Sequence, residues 1–140
     1  MATITEDYVS FETAKLLKDK GFCGQYYMYY VEDGKYICSD LNDIKDYAKS
    51  IIQFDYLHRT KVPAPTLQMV MKWLREVHHL YIQVMLDSWA LGGHMGYYVV
   101  IQNTTSDFEM MLQDALDDVF YNTYEEACEA AIKYCLENLI

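Results

Sequence analysis

In a chain of 140 residues, reactive chemistry would fall to a few side chains: cysteines 23, 38, 128 and 135, and histidines 58, 78, 79 and 94. Cysteine with histidine suits a structural zinc site or a thiolate activated by a base. The spacings favour neither, since no two cysteines form C-x-x-C and no histidine stands at finger distance from a cysteine pair. Cys23 and Cys38 flank a predicted hairpin and, with His58, are the residues a Cys-His nucleophile would use. His94, in "GGHMG", sits in a glycine-flanked loop from which a side chain can reach a ligand; a hairpin tip explains it more simply. His78 and His79 end a predicted helix, where an imidazolium interacts well with the helix dipole, and adjacent helical residues do not converge on one metal. The sequence has no G-x-x-x-x-G-K-[ST], G-x-G-x-x-G, H-E-x-x-H or G-x-S-x-G. We expect no metal and no cofactor.

Carboxylates are the next candidates. The formal charge is -10, and residues 107 to 140 hold nine acids against one base, Lys133, a balance of -8. Nucleic-acid binding is largely neutralisation of phosphates by Lys and Arg, so a direct nucleic-acid partner is disfavoured. The same acids, Asp114, Asp117, Asp118, Glu125, Glu126 and Glu129, would instead serve as phosphate surrogates in an inhibitor of a DNA-processing enzyme, provided they form one contiguous stripe. The simpler reading is a solvated helical surface.

Aromatic residues make up 15% of the chain and include 14 tyrosines. "QYYMYY", "KYI" and "GYYVV" put Tyr on both faces of predicted strands, so one face is expected to stay exposed or to meet a partner. Tyr, Met and Trp are enriched at protein interfaces, while Tyr also covers solvated sheets with its polar tip in water.

The elements that must position these residues are legible in part. "VSFETAKLLKDKGF" predicts a helix from about 10 to 20, with Ser10 as N-cap, a stripe of Phe11, Ala14 and Leu17, and a left-handed cap at Gly21 followed by Phe22. "QYYMYYVEDGKYICS" predicts a β-hairpin turning at Asp33-Gly34. Residues 39 to 62 read as a short helix through Leu41, Ile44, Ala48 and Ile51 with an irregular tail. "PAPTLQMVMKWLREVHHLYIQVM" predicts a helix opened by Pro65, with a buried stripe of Leu67, Val70, Leu74 and Val77 flanked by Met71 and Trp73, then a strand over "LYIQVML". "GYYVVIQ" is a second strand, joined to the first by a long hairpin loop. Residues 107 to 121 fit either a helix or an extended arm ending in a short strand at "DVFY". "NTYEEACEAAIKYCLENLI" predicts a C-terminal helix whose capping box is Thr123 and Glu126 and whose apolar face runs from Ala127 to Leu139, taking in Cys128 and Cys135 as packing residues. "KLLKDKGF" weakly echoes "KWLREVHH", each ending a helix that feeds strands.

Length and a hydrophobic share of 52% predict one folded domain over 1–140. The start "MATITEDYVSFE" has acids at 6 and 7 and no apolar run, so no secretory signal is expected and the thiols should be reduced in a cytoplasm. Residues 88 to 106 carry no charge, but three glycines, Gln102, Asn103 and two threonines within them exclude a membrane span.

"PTLQMVMKWLREVHHLYIQV" and "TYEEACEAAIKYCLENLI" resemble the two signature blocks of a family of short uncharacterised proteins from gut Bacteroidales genomes, their prophages and phages; "VSFETAKLLKDKGF" resembles that family's first helix. The resemblance covers about a third of the chain and implies a bacterial cytoplasm and a mobile-element origin. It implies no catalytic residue.

The fold expected is α+β, a mainly antiparallel sheet from two β-hairpins covered by two or three helices. The leading functional expectation is a non-enzymatic protein-protein interaction module with an aromatic sheet surface, acting by self-association or on a protein partner. Tyr27, Tyr29, Tyr97, Asp117, Asp118 and Glu125 are its candidate interaction residues. The alternatives are the acidic inhibitor or nucleic-acid mimic, and a small enzyme using His58, His94 or Cys38.

Overall fold

The computed structural model of the chain describes residues 2–22, 28–31, 36–39, 62–88, 95–117 and 120–140, with backbone alone for 31 and 36–39. The architecture is α+β: four helices among the described residues and two antiparallel sheets. Where the length suggests one domain, contacts gather into two compact units, Met1–Thr66 and Leu67–Ile140.

In the first unit, helix α1 (Phe11–Asp19) is held at both ends by local chemistry. The Ser10 hydroxyl accepts from the Thr13 N–H at 3.2 Å, supplying one of the partners that a helix start lacks. At the exit, Gly21 has φ +75, its N–H donates to the Lys18 carbonyl at 3.2 Å, and the Phe22 N–H donates to the Leu17 carbonyl at 2.9 Å. Those two bonds are a Schellman motif, and the left-handed backbone is why the sequence places glycine there. Strands β1 (Met28–Val31) and β2 (Tyr36–Ser39) pair antiparallel, and β3 (Val62–Pro63) pairs with β1 in the order β2-β1-β3; the turn expected at Asp33-Gly34 lies outside the described residues. Tyr30 ties this sheet to the N-terminal segment: its hydroxyl donates to the Val9 carbonyl at 2.6 Å and its ring meets Phe11 edge-on at 5.5 Å.

The second unit starts with α2 (Leu67–Val77), which runs into β4 (Leu80–Asp87). Next come β5 (Gly96–Asn103), β6 (Glu109–Met111), α3 (Leu112–Ala115) and α4 (Tyr124–Asn138). The sheet order is β4-β5-β6, so each predicted hairpin belongs to a sheet of its own. β4 and β5 pair along their full lengths, from Leu80↔Asn103 to Asp87↔Gly96. Cross-strand partners point to the same side. One side therefore holds Leu80, Ile82, Val99 and Ile101, all buried, and α2 and α4 pack there. Leu67, Val70 and Leu74 of α2 and Ala127, Cys128, Ala131, Ile132, Cys135 and Leu136 of α4 are buried in this core, where the two helices touch. The Thr123 hydroxyl accepts from the Glu126 N–H at 3.1 Å and fixes where α4 begins.

Two expectations for α2 are corrected. Pro65 does not open the helix, which starts at Leu67; Pro65 is buried and its carbonyl accepts from the Val9 N–H at 3.1 Å. Val77 is not in the buried stripe but 56% exposed, because the helix ends there and His79 turns the chain through φ 60. Residues 107 to 117 hold both readings, a short strand followed by one helical turn; of the strand expected at "DVFY", residues 118 and 119 lie outside the described residues, and Tyr121 exchanges two backbone bonds with Tyr97. The helix expected over 41 to 51 lies outside the described residues.

Candidate interaction surface

The side of the second sheet away from the helices carries Tyr81, Gln83 and Met85 from β4, Tyr98, Val100 and Gln102 from β5, and Glu109 and Met111 from β6. Alternation along each strand dictates this set once the opposite residues are buried. Tyr81 is 41% and Met85 42% exposed, while Tyr98, Val100 and Met111 are half-buried.

Polar groups on this face are joined across the strands. Gln83 Nε2 donates to Gln102 Oε1, and Gln102 Nε2 donates to Glu109 Oε2 at 2.9 Å. This chain of bonds orients both amides and holds the Glu109 carboxylate at the edge of the sheet. Arg75 lies over the Tyr81 ring at 5.9 Å, and Tyr98 meets Phe120 edge-on at 6.5 Å. The surface is a set of restrained aromatic, thioether and amide groups.

At one corner the face runs into an open polar groove of about 420 Å³ lined by Tyr81, Gln102, Thr104, Ser106, Asp107 and Phe108. Its far wall is the β5–β6 turn, where Asn103 Oδ1 accepts from the Thr105 N–H and hydroxyl, both at 2.8 Å, and Ser106 Oγ accepts from the Phe108 N–H at 3.3 Å. Short side chains that bond their own backbone make this turn self-supporting.

The residues singled out from the sequence fall in different places. Tyr97 lies opposite Leu86 on the helix side and stacks edge-on with Tyr124 at 6.4 Å; its neighbour Tyr98 takes the place on the open face. Tyr29 is in the first unit, paired with Cys38 and Pro63 across its sheet. Asp117 is exposed and has φ 57, ending α3 in a conformation that Asp tolerates better than most residues. Glu125 is exposed in the first turn of α4, where a carboxylate suits the helix dipole. Tyr27, Asp118, His58, His94 and Cys23 lie outside the described residues, as does the Cys38 side chain. Tyr81, Gln83, Met85, Tyr98 and Gln102 were missed, although the polar positions 83 and 102 mark the open side of both strands.

Two buried thiols and a half-buried imidazole act in the packing. Burial pushes the Cys128 thiol up to about 11 and the Cys135 thiol up to about 12, which disfavours the reactive thiolate. His78 meets Trp73 edge-on at 4.5 Å, and its Nε2 is sealed from solvent with no hydrogen-bond partner among the described residues. Burial, reinforced by His79, holds His78 below its ordinary value. The ring packs on Trp73, and its partial burial works against the imidazolium expected at this helix end. Among the described residues, no three of His, Cys, Asp and Glu gather as a metal ligand set, and no helix is long and apolar enough to cross a membrane. No family model, no curated protein and no solved structure matches the chain.

Proposed function

We propose that this chain is a non-enzymatic protein-protein interaction module that docks through the open face of the β4-β5-β6 sheet. One observation carries the reading: α2 and α4 cover one side of that sheet, while the other keeps Tyr81 and Met85 exposed beside a bonded Gln83–Gln102–Glu109 row. Rigid aromatics lose little freedom on binding, and methionine adapts to the shape it meets. Amides already held in place add direction. The resemblance of the two signature blocks to proteins of gut Bacteroidales and their phages supports a bacterial cytoplasm as the setting and a mobile element as the source.

The test is capture from nuclease-treated lysate of the native host, with the wild-type chain beside Tyr98→Ser, which alters the middle of the face. A stoichiometric partner retained in high salt and lost with Tyr98→Ser is expected. A partner that ignores Tyr98→Ser but is released by salt and by Glu125→Gln with Glu126→Gln would contradict the reading in favour of acidic mimicry.

A further inference from the structure

We propose that β4 is an assembly edge, pairing antiparallel with β4 of a second copy of this chain to join two sheets into one. The inference rests on the reading of this sheet as an interaction surface and names one of its partners. β4 is the outer strand of the order β4-β5-β6; all eight residues pair with β5 on one side, and no strand among the described residues pairs with the other. Sheet edges are usually guarded by proline, lysine, a bulge or shortness. β4 has none of these: its register with β5 is unbroken, and Leu80 to Leu86 includes neither charge nor proline. It also exposes large apolar side chains, Tyr81 at 41%, Met85 at 42% and Leu86 at 54%.

A second copy fits because the strand complements itself when reversed. Both faces stay continuous only in registers that pair residues of like side. With Gln83 on the two-fold axis, Tyr81 opposes Met85 on the open side, while Leu80 opposes Leu86 and Ile82 opposes Val84 on the helix side. This register engages the whole uncharged run, and it gives the exposed Leu86 a buried apolar neighbour. Charge then selects the antiparallel arrangement. Arg75 sits over the Tyr81 ring at the start of the strand and Asp87 stands at its end, so reversal brings the acid of each copy toward the base of the other, twice by symmetry. The acids of residues 107 to 140 lie outside the paired run, and no like charges oppose each other across the seam.

Sedimentation velocity of the full chain across the micromolar range tests the proposal. The wild type should form a dimer. Tyr81→Lys with Met85→Lys sets like charges opposite each other at both pairs and should weaken the dimer by about tenfold or more, roughly 1.4 kcal/mol. Tyr81→Glu with Met85→Lys sets opposite charges there and should restore it. A wild type that stays monomeric, a dimer that persists under like charges, or one not recovered by opposite charges overturns the proposal. Amide exchange of residues 80 to 86 in the wild type gives a reading free of any variant: it should slow as concentration rises, and exchange independent of concentration is the contrary result. Tyr98→Ser leaves the β4 edge intact, so loss of a captured partner and loss of the dimer are separate outcomes.

Discussion

The two faces of the β4-β5-β6 sheet are built from similar residue types and have opposite fates. Ile82 and Ile101 oppose each other under the helices and are 7% and 0% exposed; Met85 opposes Tyr98 three residues along on the other side, and Met85 is 42% exposed. Hydrophobicity alone does not separate these pairs. The difference is what lies across from them: α2 and α4 bring Leu74, Ile132 and Leu136 to the first face, while the second has cross-strand amides, the Phe120 ring, the Arg75 side chain and solvent. An apolar side chain stabilises a fold only where another element closes over it. Where none does, the same side chain is available to a partner.

Truncation should break the symmetry between the faces. Ile101→Ala leaves a void in a closed core and should cost about 2 to 5 kcal/mol, read as a lowered midpoint in chemical denaturation. A smaller, conditional effect is expected where the covered face ends. The folded state holds His78 below the ordinary 6.5, so between that lowered value and 6.5 the unfolded chain binds more protons. Stability should be complete above 6.5 and decline as pH falls through the window. His78→Phe keeps an aromatic ring against Trp73, removes the sealed nitrogen, and should flatten that slope in melting curves taken at a series of pH values. Smallest of all, Met85→Ser on the open face should change stability by no more than about 0.5 kcal/mol. A cost comparable to that of Ile101→Ala would show that the open face is packed.

Local chemistry was the most legible part of the fold. Ser10, Gly21 and Thr123 act through bonds spanning three to five residues, and each cap lies where the sequence places it. Helical stripes were legible within their helices but not at their ends: the period that selects Leu67, Val70 and Leu74 also selects Val77, and only the turn at His79 exposes it. Thr13 is fully buried although polar, because its hydroxyl accepts from Ser10 Oγ at 3.1 Å, a detail of the cap.

The open face of the sheet was less legible, for a reason of phase. A Tyr97-Tyr98 doublet always places one ring on each side of a strand, and the side that stays open is set by the pairing of Tyr97 with Leu86 and Tyr98 with Met85. That pairing depends on a strand outside the local sequence. The assignment of the two hairpins to separate sheets is non-local in the same way, since it is decided by β3 and β6 as third strands.

The most direct test of docking through the open face is site-specific photo-crosslinking in the native host, with a photoreactive side chain at Met85 and, separately, at Glu137 on the exposed side of α4. The account predicts a discrete higher-mass adduct from position 85 and none from 137. Adducts from 137 alone, or equal adducts from both positions, would contradict it.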